Sequence, residues 1–124
     1  MQITLPWPDS ALSPNARKHW KAKLVAKNEA RDAGWFATMQ VTDRQSYIPN
    51  GEIEMRLEFR PPDYRRRDQD NILASLKFYL DGIFRALGVD DALVRKTVLL
   101  WGDKVAGGEV IVHIGALQHD KDTD

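Results

Sequence analysis

Residues 60–91 read RPPDYRRRDQDNILASLKFYLDGIFRALGVDD. Pro61 and Pro62 interrupt the segment before them, which leaves the following residues as an extended connection into a helix. In extended chain, residues two apart point the same way, so the carboxylates of Asp68 and Asp70 are expected side by side. Two such groups repel unless one is protonated or a cation sits between them, and a hard divalent cation is the simplest resolution. From Asn71 the pattern changes. At about 100° per residue, Ile72, Leu73, Leu76, Leu80, Ile83, Phe84 and Leu87 fall on one broad face, which predicts a helix over 71–87. Asp70 suits the N-cap of that helix, and Gly88 its C-terminal stop. Capping alone leaves Asp68, the arginines Arg65, Arg66 and Arg67, and the second acidic pair Asp90 and Asp91 without an account.

On the N-terminal side of this stretch, 52–59 alternates. Ile53, Met55, Leu57 and Phe59 point one way and Glu54, Arg56 and Glu58 the other, the pattern of a half-buried strand. On the C-terminal side, 93–101 is rich in β-branched and bulky residues and reads as a strand buried on much of both faces. Gly102, Gly107 and Gly108 then reverse the chain into a strand at 110–114, and these two strands are expected to pair as a hairpin. Near the start, Ile3, Thr4 and Leu5 form a short edge strand closed by Pro6 and Pro8 around Trp7. Ser13 and Pro14 read as N-cap and first residue of a helix running to about Phe36, with Trp20, Leu24 and Trp35 as core anchors. Residues 37–51 read as a loop that turns at Pro49, Asn50 and Gly51. The predicted fold class is α/β (α+β): a small single domain over 1–118, with a mixed sheet of about four strands and two main helices in the order β-α-β-α-β-β. Residues 119–124 read as an acidic, disordered tail.

The chain has 124 residues, enough to bury one core without staples. It contains no cysteine, which excludes disulfides, thiolate metal sites and a cysteine nucleophile together. No apolar run reaches membrane-spanning length, and MQITLPWP lacks the basic-then-apolar order of a secretory signal, so a cytoplasmic protein is expected. The formal net charge is zero, which removes a whole-protein basic footprint and leaves only local ones. Arg17, Lys18, Lys21, Lys23, Lys27 and Arg31 gather on the first helix while acids gather elsewhere. Such a run is most often a solvated helix face, but segregated charge also steers a polyanion to one surface. A base-stacking role for Trp20 is the lesser reading beside core packing. His19 and His113 have no partners in sequence and read as structural or solvent-facing.

Mg²⁺ is usually held by one or two carboxylates together with waters and substrate phosphates. Asp68, Asp70 and one of Asp90 or Asp91 supply that inventory beside arginines able to grip phosphate. An ion so placed activates a water and neutralises charge building on a phosphodiester. Lys77, on the side of the helix that carries Asp70, is placed to steady that charge. The equal alternative is an i,i+4 surface pair between Lys77 and Asp81.

These residues are similar to the motifs of the RusA-type Holliday-junction resolvases of phages and prophages. The resemblance rests on ITLPWP at 3–8, RRRDQDN at 65–71, LDG at 80–82, DDA at 90–92 and the two terminal strands, and it covers nearly the whole chain. It implies an endonuclease of DNA recombination and repair, a small α/β homodimer that binds four-way DNA junctions and makes paired nicks with Mg²⁺ or Mn²⁺. Carried over by motif, the catalytic residues are Asp68, Asp70, Asp91 and Lys77, and the metal ligands are Asp68, Asp70 and Asp91, with Asp90 beside them. Arg65, Arg66, Arg67, Arg17, Lys18 and Lys21 are the DNA-contact candidates. The family lysine stands four residues after the second aspartate, where this chain has Ala74, so Lys77 reads as that lysine displaced by a small insertion. Pro8-Asp9 stands where many members have Pro-Pro.

A helix over 71–87 spans roughly 25 Å and separates Asp70 from Asp91. Either the chain after Gly88 doubles back along the helix, or a two-fold partner brings its own Asp91 to this Asp70. Two other functions compete. One is a non-catalytic phage DNA-binding module whose acids cap a helix and balance the arginines. The other is a D-x-D metal-nucleotide transferase, against which stands the lack of a glycine-rich phosphate cradle.

Overall fold

The computed structural model describes residues 1–42 and 51–118. The strands are β1 (Gln2–Pro6), β2 (Ile53–Arg60), β3 (Val94–Trp101) and β4 (Glu109–Ala116), and the helices are α1 (Trp20–Thr42) and α2 (Gln69–Leu87). Single 3₁₀ turns lie at Ser10–Leu12 and Asp91–Leu93. The fold class is the expected one, a small α+β domain with two helices and a four-stranded mixed sheet in the order β-α-β-α-β-β. Pro49, Asn50 and the tail 119–124 lie outside the described residues.

The sheet order is β1-β4-β2-β3. β2 sits inside the sheet because its alternation is the cleanest in the chain: Ile53, Met55, Leu57 and Phe59 are all buried in one core with Ile72, Leu76, Ile83 and Leu87 of α2. Glu54, Glu58 and Arg60 take the other side, where Arg60 bridges Glu58 at 2.6 Å and Glu109 of β4 at 3.0 Å. β1 is an edge strand, as its prolines require, and pairs antiparallel with β4.

The expected hairpin between the last two strands does not form. β3 runs parallel to β2, pairing Phe59 with Trp101, while β4 lies antiparallel on the other side of β2. α2 is therefore the crossover of a β-α-β unit. The connection after β3 passes the end of β2, with the Val105 N–H donating to the Pro61 carbonyl at 3.0 Å. Gly107 and Gly108, at φ 76° and 71°, then turn the chain into β4. These glycines do reverse the chain, but over the top of a strand rather than between neighbours. β3 is also an exposed edge rather than a strand buried on both faces: Arg95, Lys96 and Thr97 all face solvent.

α1 departs from expectation at both ends. Ser13 accepts from the Asn15 N–H in a local turn and caps no long helix. The helix starts at Trp20, beside a His19 Nδ1 that accepts from the Lys21 N–H at 3.1 Å. At the far end nothing in Ala37–Thr42 breaks a helix, so α1 continues through residues expected to be loop. The buried Thr38 hydroxyl donates to the Gly34 carbonyl at 2.7 Å. The expected anchors Trp20, Leu24 and Trp35 are exposed, Trp20 at 64%. What packs instead is a ladder of small residues four apart, Ala26, Ala30, Gly34 and Thr38, which lets α2 approach closely.

Candidate functional site

α2 is the element on which the site is built. Its N-cap is Asp68, not Asp70: Asp68 has extended dihedrals, and its Oδ1 accepts from the N–H groups of Asp70 at 2.8 Å and Asn71 at 3.4 Å. The helix thus begins at Gln69, before the two carboxylates could alternate along an extended chain, and they border different clefts. Asp70 stands in the first turn, where a negative charge is favoured by the helix dipole. At the other end Gly88 adopts φ 67° and ends the helix, with the Val89 N–H donating to the Phe84 carbonyl.

One face of α2 lines an open cleft of about 430 Å³. Asp70, Leu73, Ala74, Lys77, Leu80, Asp81 and Phe84 recur along it at helical steps, with Met55 and Val94 forming the wall and Asp91 joining from the turn beyond the helix. Asp70 stands at the N-terminal end of this face. Asp91 stands at the C-terminal end, where with Asp81 it also borders the next cleft around Arg85, Gly88 and Asp90. From Asp70 to Phe84 the helix rises roughly 21 Å. The chain does double back along α2, as β3 beside β2, but only from Val94 onward, so the return leaves Asp91 behind at the turn after the helix. Among the described residues, no three acidic or imidazole side chains converge as a ready metal cage.

The remaining candidates fall around this cleft. Asp68 lines a separate cleft of about 450 Å³ with Trp7, Arg65, Arg67 and Asn71. Asp90 caps the Asp91–Leu93 turn, its Oδ1 accepting from the Ala92 N–H at 2.9 Å. Lys77 is exposed and, among the described residues, joins no ion pair within 4 Å, so the surface pair with Asp81 is not formed.

Arg67 differs from its neighbours in being spoken for. Its side chain is only 12% exposed, its Nη1 donates to the carbonyls of Asp63 and Arg65, and its Nη2 donates to Asp63 Oδ1 at 2.8 Å. The guanidinium also lies 5.1 Å from the Trp7 ring centroid. The Arg65 N–H and the Arg67 guanidinium hold the Asp63 carboxyl below the usual carboxylate range. Arg65 and Arg66 are exposed, as are Arg17 and Lys18 just ahead of α1 and Lys21 in its first turn. Sequence reasoning missed Asp81 as a cleft residue in its own right; its spacing of four from Lys77 and eleven from Asp70 places it on the same face.

The fold and site together define an α+β domain with carboxylates at both ends of an apolar, lysine-bearing cleft. The chain is 37% identical over 120 residues to an uncharacterized protein of Xylella fastidiosa (strain Temecula1), the match covering 90% of this chain and 74% of that protein. The chain belongs to the family of that protein. No protein-family model matches it.

Proposed function

We propose that this protein is a RusA-type, structure-selective DNA endonuclease that resolves four-way junctions as a homodimer. The observation that carries this reading is the cleft along α2, where Asp70, Lys77 and Asp91 share one apolar trough with a carboxylate at each end. A second copy laid antiparallel along this trough brings the partner's Asp91 to this chain's Asp70, and the reverse, because a two-fold axis pairs opposite ends of like helices. Leu73, Leu80 and Phe84 supply the apolar contact such a pairing needs.

The donor set fits Mg²⁺ as a partly hydrated ion held by one or two carboxylates, and Mn²⁺ likewise, rather than an ion in a closed cage. Asp70 and Asp91 would hold it, with Asp68 and Asp90 as the further candidates, and the bound ion would lower the pKa of a water and offset charge on the phosphodiester. The chain's own residues do the rest. Lys77, in no ion pair among the described residues, donates to an oxygen of the reacting phosphate. Arg65, Arg66, Arg17, Lys18 and Lys21 meet the backbone of the arms. Arg67 acts at one remove, fixing the loop that carries Arg65 and Arg66.

The test is a labelled four-way junction incubated with the protein and Mg²⁺, with an EDTA control and an Asp70→Asn variant. Paired nicks that need the metal and vanish in Asp70→Asn, with junction binding kept, support the nuclease. Binding without nicking in the unaltered protein supports the second reading, a non-catalytic DNA-binding module, which the capping duties of Asp68 and Asp90 favour.

A further inference from the structure

We infer that Tyr64 is a stacking platform for an unpaired nucleobase, an inference that rests on the nucleic-acid side of the proposed function but not on cleavage. Tyr64 is 79% exposed, the highest value among the exposed large hydrophobic side chains of the described residues. Exposure alone would say little, but the backbone beneath it is fixed. The Arg65 N–H donates to Asp63 Oδ1 at 3.0 Å, Arg67 ties the carbonyls on both sides of Tyr64, and Trp7 backs the Arg67 guanidinium. The chain has ordered a short loop and left most of its aromatic side chain in water.

One cation lies over that ring and two more stand next to it in sequence. Arg65 and Arg66 follow it in sequence and are exposed, and Lys104 reaches over from the β3–β4 connection with its Nζ 5.2 Å from the ring centroid. Asp63 is neutralised by Arg67, which leaves Asp103 as the neighbouring acid in sequence with Lys104. A solvent-facing ring on a tied backbone, with a lysine over it and exposed arginines next in sequence, suits a single strand, with a base on the ring and flanking phosphates on the cations. Tyr64 stands four residues before the cap of α2, so a base held there lies beside the strand that the α2 cleft engages. At a branch point, bases can leave the stack more readily than in duplex, which supplies the ligand.

The experiment uses the full chain in EDTA, so that no strand is cut. Binding of a short oligothymidylate carrying one 2-aminopurine, and of a duplex of matching length, is measured for the unaltered protein, Tyr64→Ala and Tyr64→Phe. Tyr64→Ala should weaken single-strand binding by about tenfold and abolish the change in 2-aminopurine fluorescence, with duplex affinity altered by less than about twofold. Tyr64→Phe should behave as the unaltered protein. Equal loss on both substrates, no loss on either, or no binding of the single strand at all overturns the platform. An excess of an acidic peptide that competes as well as the oligonucleotide overturns it too. Junction nicking read in parallel separates the two ideas: Tyr64-dependent binding without nicking sinks the nuclease alone, and nicking with Tyr64-independent single-strand binding sinks the platform alone.

Discussion

Gly34 of α1 and Gly82 of α2 mark the place where two helix backbones touch. A Cβ on Gly34 would lie 2.0 Å from the Tyr79 carbonyl oxygen, and one on Gly82 would lie 2.0 Å from that of Arg31. The contact is reciprocal, so neither helix can turn about its axis without driving a carbonyl into the other. Asp70, Lys77 and Asp81 lie about 100–140° round α2 from Gly82, at about 100° per residue. The glycine pair thereby fixes which face of α2 is left for the cleft.

Gly82→Ala should destabilise the fold even though alanine is the better helix former by about 1 kcal/mol. The new methyl meets backbone, which cannot swing aside, and forced separation of packed elements costs about 1–3 kcal/mol or more. A fall in the urea midpoint of Gly82→Ala with unchanged slope is the expected result. A midpoint at or above that of the unaltered protein would show that the helices have room the geometry denies them.

Asp68 carries a structural duty that can be separated from any chemical one. Asparagine caps helices about as well as aspartate, whereas alanine at an N-cap costs about 1 kcal/mol. Asp68→Asn should therefore melt close to the unaltered protein and Asp68→Ala below it. If Asp68 also serves the reaction as the motif resemblance implies, Asp68→Asn should be stable and slow at nicking. A stable, fully active Asp68→Asn would reduce this residue to its cap.

The Asp63 to Arg67 lock has a pH signature. The Asp63 pKa is lowered in the folded chain, first by the Arg65 N–H and then by Arg67. A depressed carboxylate contributes stability above its unfolded value of about 3.9 and loses it as pH falls through the folded value. The Arg65 amide chemical shift should titrate with a midpoint below 3.9, and Tyr64 should lose its fixed placement over the same acid range. A midpoint at or above the unfolded value would mean that the carboxyl is not held as described.

Local chemistry was legible in the sequence; the partners of each element were less so. The alternation from Ile53 to Phe59 and the apolar face from Ile72 to Leu87 can be read by counting, because burial in a two-layer domain imposes periods of two and about 3.6. Trp20, Leu24 and Trp35 misled because hydrophobic size was taken as the sign of burial, whereas α1 buries its small side chains where α2 comes near. The pairing of β3 misled because neighbours in sequence usually pair. Here the exposed polar residues of β3 suit an edge, and β4 takes an inner place between β1 and β2 with Val110, Val112 and Ile114 buried. That a helix lies between Asp70 and Asp91 was legible; that both border one cleft was not.

Lys77 has no ion pair among the described residues, so replacing it should leave the fold nearly unchanged. Lys77→Met keeps the length of the side chain, and exposed substitutions of this kind usually stay within about 0.5 kcal/mol. Removing a donor aimed at a reacting phosphate costs on the order of a hundredfold in rate. The expected outcome is an unshifted urea midpoint with junction nicking slowed by that order. Unaltered nicking would show that the displaced lysine does not replace the one at the position of Ala74.

A cleft with its two carboxylates at opposite ends makes a strong demand on the dimer, and mixing two inactive variants tests it. Take Asp70→Asn and Asp91→Asn, each expected to bind a junction without cutting it. If each site joins Asp70 of one copy to Asp91 of the other, a mixed dimer has one site with both substitutions and one with neither. The mixture should then regain nicking on one strand without paired resolution, at a yield set by the fraction of mixed dimers after subunit exchange. If each site lay within one chain, both sites of the mixed dimer would carry a substitution and nothing would be regained. Recovery of single nicks on mixing is thus the outcome that only a shared site produces, and its absence, with exchange verified by mass, would reject the shared site.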